Sequence, residues 1–384
     1  MNRRSVLALL LAVGGLLAVG IVMLASTGEF AEDAHGRPYF FLYHQLGWLA
    51  VGSVACWFVS RVDYHFWIKQ WRWAYVVSAF LLVLCFIPPI GARINGSSRW
   101  IRIGFGTFQP SELAKFAAVT MLAWWFSREE RVEDQKLKGF FVPLLLVGFL
   151  MALIVFEVDV GSTALIGATT LVIMIVAGSP WKFLLPIFGA GVGVIVGAIL
   201  LMPERMGRFL AFLHPERYPK DAYQTEQGLI ALGSGGISGL GLGNGRQKLL
   251  YLPFAHTDFI FPVIGEELGL AGTLGIVLAY ILFILGGVTI AVKARDRAGL
   301  LLGMGIVMII ATQAAVNIGV TTQLLPNKGL PLPFISYGGS NLLFCMACVG
   351  VLLNIYRQGL TEQEEEQLEQ LELVLKSERR PVRL

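Results

Sequence analysis

Residues 256–272 read His256-Thr257-Asp258-Phe259-Ile260-Phe261-Pro262-Val263-Ile264-Gly265-Glu266-Glu267-Leu268-Gly269-Leu270-Ala271-Gly272, and an apolar run follows as far as Val292. Three carboxylates thus stand where a long polar stretch gives way to a segment suited to lipid. An acid at the mouth of a membrane helix is costly to keep and marks a candidate functional site. Written as a helix, Asp258, Pro262, Gly265, Glu266 and Gly269 share one face. Asp258, next to Thr257, also fits a plain helix cap. Spacing alone does not separate the two readings.

Outward from this stretch, apolar runs of ~18 or more residues recur along nearly the whole chain. The 384 residues are 55% hydrophobic and 15% charged, with a mean hydropathy of +0.68. The fold class is therefore an all-α polytopic membrane protein. Ten transmembrane helices are expected near 5–25, 40–60, 72–90, 111–127, 139–157, 161–178, 183–202, 271–293, 298–319 and 338–358, with a large extracytoplasmic loop, 203–257, between spans 7 and 8. The first run follows Arg3-Arg4, is long enough to span and lacks a small-residue cleavage site, so it reads as a span rather than a signal peptide. Cys56, Cys85, Cys345 and Cys348 all fall inside apolar runs. The Cys345-x-x-Cys348 pair on a membrane helix reads as packing.

Basic residues set the orientation. Arg3, Arg4, Arg61, Lys69, Arg72, Lys182, Lys293, Arg295, Arg297 and Arg357 fall on one side, which is taken as cytoplasmic, with both termini inside. Two outer connections run against this trend. The 91–110 loop carries Arg93, Arg99 and Arg102 without an acid, and the 203–257 loop carries six bases against four acids. Bases placed against the topological preference point to an anionic partner at the outer surface. A long loop translocates regardless of charge, which explains the second loop but not the first.

Four polar motifs lie at the outer N-terminal ends of even-numbered spans. They are Asn95–Trp100 with Gln109–Lys115, Glu157–Ser162, the Asp258 stretch, and Pro326–Asn341. Helix N-termini present free N–H groups and partial positive charge, so several at one depth make an anion site. Ser111 reads as a cap, and Lys115, one turn on, is placed to snorkel out to the same region. Residues 223–231, which include Gln227, fit a short amphipathic interfacial helix. The glycine-rich run 233–245 lacks the Gly-Lys-Ser/Thr of a phosphate loop; its glycines suit tight turns near a ligand or headgroup. No metal quartet or nucleophile elbow is present. His256 beside Asp258 fits either a polar contact or a share in a divalent cation. A carboxylate, several bases and outward helix N-termini suit a pyrophosphate-linked substrate of the outer leaflet, with the cations on the leaving group and Asp258 taking a proton from an attacking hydroxyl.

At these residues the chain resembles the SEDS family (shape, elongation, division and sporulation), the polytopic peptidoglycan polymerases typified by FtsW and RodA. The matching motifs are Asn95–Trp100, Gln109–Lys115, Tyr223–Gly245, His256–Gly269 and Lys328–Ser340. Gly265–Gly269 and Phe334–Ser336 resemble the FtsW division branch more than RodA. The resemblance implies a glycosyltransferase that polymerises lipid II with inversion and releases undecaprenyl pyrophosphate, and it makes Asp258 the essential acid. Arg99, Lys115, Arg205, Arg208 and Lys328 form the pool of bases expected to neutralise the donor pyrophosphate, each alternatively a headgroup anchor, with Ser336 and Ser340 as further substrate contacts and His256, Glu266, Glu157, Asp159 and Gln227 in support. A divalent cation, Mg or Mn, is compatible with this chemistry, although no ligand set is readable. The implied partners are a class B penicillin-binding protein, other division or elongation proteins and the membrane, with no nucleic acid. Two residues depart from the family pattern. Pro262 stands where a small residue is usual, so the helix kinks or begins there, and Val158 stands where proline is frequent.

The polymerase domain is expected over 1–360, followed by a cytoplasmic acidic tail, 361–384, with leucines at helical spacing. The location is the bacterial cytoplasmic (inner) membrane. Two rival readings are a lipid II flippase, which needs polar residues through both leaflets, and a division scaffold, which needs no carboxylate at a helix mouth.

Overall fold

A computed structural model describes residues 3–27, 39–88, 90–94, 97–103, 106–128, 138–249 and 251–378. Asn95 and Gly96 of the first outer motif, and most of the 128–138 connection, lie outside the described residues. The helices are α1 (Arg3–Thr27), α2 (Phe40–Arg61), α3 (Tyr64–Lys69), α4 (Trp71–Leu84), α5 (Pro110–Phe126), α6 (Lys138–Phe156), α7 (Val160–Val176), α8 (Trp181–Leu201), α9 (Pro203–Leu213), α10 (Pro219–Gly235), α11 (Ile260–Val292), α12 (Arg297–Thr321) and α13 (Gly339–Glu378). All ten apolar runs fall on helices. Among the described residues, six helices are long and apolar enough to cross a membrane: α1, α6, α8, α11, α12 and α13. The third run is helical only to Leu84; its last residues turn into a small antiparallel sheet. That sheet, β1 (Gly91–Ile94), β2 (Ser97–Ile103) and β3 (Gly106–Phe108), is the one sheet among the described residues. It pairs Ala92 with Trp100 and Ile101 with Phe108.

Helix α12 lies at the centre, packed on α5, α7, α11 and α13, while α1 runs along α11 and α13 along α2. Glycines let these helices approach closely: a side chain at Gly286 would meet the Ser5 carbonyl of α1, and one at Gly303 would meet Ala291 of α11. Cys345 and Cys348 are buried thiols on α13, as packing residues should be. Helix α13 continues without a break past residue 360 to Glu378.

Two segments enter the bundle from the loop-bearing end, which is the outer end in the orientation set by the basic residues. In the 322–338 connection, Tyr280 donates to the Pro333 carbonyl at 2.5 Å and Phe283 packs on Phe334 with centroids 5.9 Å apart. Tyr280 lies ten residues into the span after Leu270, so this connection dips about 15 Å below Leu270 at 1.5 Å per residue. The second segment is the glycine-rich one. Helix α10 buries Ala222, Thr225, Gly228, Ala231 and Gly235, with Gly228 against Phe259 and Pro262 and Gly235 against Gly265. The chain then wraps the bend of α11.

That bend is at Gly269 (φ +66°) and brings Gly265 next to Thr273. A Cβ there would strike the Gly239 nitrogen and the Ile237 carbonyl, so the position needs glycine for conformation and for space. The backbone groups freed by the bend pair with the loop: Leu240 N–H with Glu266 C=O at 2.9 Å, Gly241 N–H with Glu267 C=O at 3.0 Å, and Leu270 N–H with Gly236 C=O at 2.9 Å. These glycines make the tight turns expected of them, with positive φ at Gly236, Gly239, Gly241 and Gly243, and Gly239 also lets the loop pack on the bend. Pro262 sits in the first turn of α11, where its missing N–H would be unpaired anyway.

The two glutamates behind Asp258 complete this clasp. Glu266 accepts from the Arg246 N–H at 2.8 Å. Glu267, fully buried, pairs with Lys248 at 2.6 Å and accepts from Ser26 Oγ at 2.7 Å and Gly243 N–H at 3.0 Å. Lys248→Met would leave Glu267 buried beside an apolar stem. The expected loss is about 3–5 kcal/mol, the usual cost of breaking a buried pair, read as a lowered Tm in detergent that Glu267→Gln does not reproduce in full.

Candidate functional site

Asp258 is not a helix cap. The N-cap of α11 is Phe259, with no side-chain bond, and Asp258 ends the loop before it. Its backbone is fixed on three sides: Tyr337 N–H donates to the His256 carbonyl at 3.0 Å, Ser336 Oγ donates to the Thr257 carbonyl at 2.6 Å, and Asn317 Nδ2 donates to the Asp258 carbonyl at 2.8 Å. The carboxylate rests against Gly329, where a Cβ would collide with Oδ2. Gly329→Ala should therefore lower activity by about tenfold or more while leaving the fold intact, since small displacements of a reacting group are costly; turnover and Tm of the purified variant check both parts. Burial pushes the Asp258 carboxyl above its ordinary value, against the pull of Arg99, Lys328 and Arg208.

The four cations come from three separate segments. Asp159 caps α7, accepting from Ser162 N at 3.2 Å and Ser162 Oγ at 2.7 Å. It lies 3.8 Å from Arg99 of β2 and 3.6 Å from Lys328. The stem of Lys328 crosses the head of α7 over Gly161, where a Cβ would meet its Cε. Arg205 of α9 donates to the Val158 carbonyl. Val158 has φ +66°, a strained conformation for a β-branched residue, and proline cannot adopt it. Arg208, one turn further along α9, is exposed and acts on both Asp258 and Lys328.

Four cations thus face two carboxylates. Lys328 Nζ and Arg99 Nε are buried without a hydrogen bond, which leaves donors available for an anion. Burial lowers the Lys328 ammonium to about 7; Asp159 opposes this, and Arg205, Arg99 and Arg208 reinforce it. Asp159 stays below the usual carboxylate range, because Lys328, Arg99 and the Ser162 bonds outweigh its burial. Glu157 is fully buried with neither oxygen bonded. Burial raises its carboxyl to about 8; the nearby Cys85 and Arg99 oppose the rise and Asp159 adds to it.

An apolar cavity of about 980 Å³ opens beside this cluster, walled by α6, α7, α8 and α12, with Arg205, Arg208 and Lys328 at one end. An apolar trough ending in cations fits an amphiphile with an anionic head.

Several expected site residues lie elsewhere. Lys115 does not snorkel: it is 1% exposed, paired with Glu112 at 2.8 Å and Gln313 at 2.9 Å, and Asn341 bonds the same Glu112. Ser111 is not a cap, since α5 begins at Pro110 behind Gln109. Ser336 is spent between the Leu332 N–H and the Thr257 carbonyl. Ser340 is spent between the Gln109 N–H and the Thr107 carbonyl. His256 stacks on Phe41 at 4.2 Å, Glu266 holds the glycine-rich loop, and no side-chain bond joins Gln227 to the cluster among the described residues. The sequence reading missed Asn317, Gln313 and Gly329. Polar residues inside the apolar run of α12 were the available signal. Among the described residues no three His, Cys, Asp or Glu side chains converge, so a divalent cation would take most of its ligands from substrate phosphate and water.

Comparison with known proteins gives a consistent assignment. The family model for FtsW, RodA and SpoVE, described as cell cycle protein, matches residues 7–360. A probable peptidoglycan glycosyltransferase FtsW of Coxiella burnetii is 40% identical over 346 residues, covering 88% of this chain and 93% of that protein. The stage V sporulation protein E of Bacillus subtilis is 37% identical over 344 residues, covering 89% and 94%. A chain of a peptidoglycan synthase complex that coordinates polymerization and crosslinking aligns with TM-score 0.76 at 27% identity, covering 91% and 97%. The rod shape determining protein RodA of Thermus thermophilus aligns with TM-score 0.67 at 26% identity, covering 91% and 95%. The motifs, the multi-pass helical fold and these matches over nearly the full length agree, and the chain belongs to the FtsW/RodA/SpoVE family.

Proposed function

We propose that this protein is an inverting peptidoglycan glycosyltransferase that polymerises lipid II at the outer leaflet of the bacterial cytoplasmic membrane, with both termini cytoplasmic and Asp258 as general base. The observation that carries this reading is the juxtaposition of the half-buried Asp258 carboxylate, a four-cation cluster and an apolar trough. The trough takes the polyprenyl chain, and Arg99, Arg205, Arg208 and Lys328 take the pyrophosphate. The donor sugar is α-linked to that pyrophosphate and the product linkage is β, so one displacement suffices. Asp258 removes the proton of the acceptor hydroxyl as its oxygen attacks C1. The C1–O bond to the pyrophosphate breaks, and the cations hold the departing charge. The raised Asp258 carboxyl makes a better proton acceptor than an ordinary one, and Gly329 leaves room for it.

A class B penicillin-binding protein is the proposed partner, as the likeness to a synthase chain suggests, and the FtsW-type motifs favour division over elongation. The flippase reading requires a polar path across the membrane. Among the described residues the bridge below the outer cluster is Glu112–Lys115–Gln313–Asn341, whose members are each 6% exposed or less, so it offers no aqueous route. The test is reconstitution of the purified protein with its transpeptidase and fluorescent lipid II. Glycan strands are expected; lipid II crossing liposome bilayers without strand formation would favour the flippase.

A further inference from the structure

We infer that Asn317, an amide inside the apolar run of α12, is the positioning residue for the general base; this rests on the assignment of Asp258 proposed above. Asn317 is 1% exposed. The two hydrogens of its side-chain amide go to two backbone carbonyls from distant parts of the chain, Asp258 at 2.8 Å and Leu330 at 2.7 Å. One planar group therefore ties the segment that carries the base to the strap that carries Lys328, at the Lys328 end of a junction that Ser336 and Tyr337 fix at its other end.

The intervening residue makes this tie matter. Gly329 precedes Leu330 and rests against the Asp258 carboxylate, and the Lys328 stem lies across Gly161 on the head of α7. A shift of Leu330 relative to Asp258 thus changes the position of carboxylate, glycine and ammonium together. Gln313, one turn away on the same face of α12, donates to the Pro331 carbonyl at 2.9 Å. The strap is thereby held at two successive residues, but only Asn317 also reaches the base. A buried amide within an apolar span is expensive unless its bonds serve something. These bonds make it a tie between two backbones.

The experiment uses the full chain with its transpeptidase partner and measures lipid II polymerisation over a pH series for wild type, Asn317→Leu, Asn317→Asp and Asp258→Asn. Asn317→Asp fills the same volume but points an acceptor where a donor was, so it decides the question if Asn317→Leu does not fold. Both Asn317 variants should lose kcat by about 10–100-fold, as a displacement near 1 Å does. Their KM for lipid II should stay within about twofold, the pattern of a lost transition-state interaction. The acidic limb of kcat/KM should move as well, because Asp258 no longer keeps its fixed place beside Arg99 and Lys328; a merely structural role would leave that limb where it is. A loss confined to KM, an unchanged kcat, or an unmoved acidic limb overturns the inference. An active Asp258→Asn protein would instead overturn the base assignment, while an inactive one beside wild-type Asn317 variants overturns the positioning role alone.

Discussion

Asp258→Ala should reduce strand polymerisation by about 10²–10⁴-fold, the range expected when a positioned general base is removed. The fold should survive, because among the described residues the side chain makes no hydrogen bond. The fixed groups around Asp258 are backbone: its own carbonyl on Asn317, the Thr257 carbonyl on Ser336, and the His256 carbonyl on Tyr337. Removing the carboxylate also relieves the crowding at Gly329 and takes a negative charge away from four cations. Substrate binding should therefore hold or tighten while turnover collapses. The measurement is kcat and lipid II affinity of the purified variant; a weakened affinity with unaltered turnover would contradict the assignment.

The second large effect concerns Lys328. Lys328→Met should cost about 10²–10³-fold in kcat, comparable to removing one preorganised donor from a site where charge develops. It should also show in the pH profile. Asp258 works deprotonated, and burial raises its carboxyl, so activity climbs with pH through a range above that of an ordinary carboxylate. Lys328 works protonated, and its ammonium titrates at about 7, so the advantage it gives is lost as pH rises past that point. The kcat/KM profile of the free enzyme should be a bell with its alkaline limb near 7. Lys328→Arg stays charged throughout and should move that limb upward while keeping the acidic one.

The fold was legible because a bilayer demands long apolar helices, and composition reports them directly. The depth of the outer segments was not legible. Residues 326–337 are polar and proline-rich and read as a surface connection, yet Pro333 meets Tyr280 well below Leu270. Such a dip is tolerated only where protein encloses the backbone, which no local pattern announces. The small sheet was hidden because each strand is short, with β3 only three residues long.

The convergence of the cations was legible where charge opposed topology. Arg99 in a loop without acids, Arg205 and Arg208 in the long loop, and Lys328 beyond α12 all meet around Asp159 and Asp258. It was misread where depth was known but facing was not. Lys115 stands one turn into its helix, close enough to snorkel, but it faces α12 and binds Gln313. Glu266 was grouped with Asp258 by a helical projection that presumes one continuous helix. The helix starts only at Ile260, and Glu266 turns to the glycine-rich loop instead. Asn317 and Gln313 carried no signal beyond being polar in an apolar run, because their partners lie elsewhere in the chain: the Asp258 and Leu330 carbonyls for Asn317, and the Lys115 ammonium and Pro331 carbonyl for Gln313.

The central claim is a single displacement driven by Asp258 as a base. Its most direct test is the anomeric configuration of strands made from lipid II carrying a ¹³C label at C1, with the protein trapped by acid during turnover. Wild type should give β-linked strands and no sugar on the protein, and Asp258→Asn should give neither strands nor adduct. Retained α linkages, or a labelled sugar esterified to Asp258, would show a nucleophile in place of a base and contradict the account.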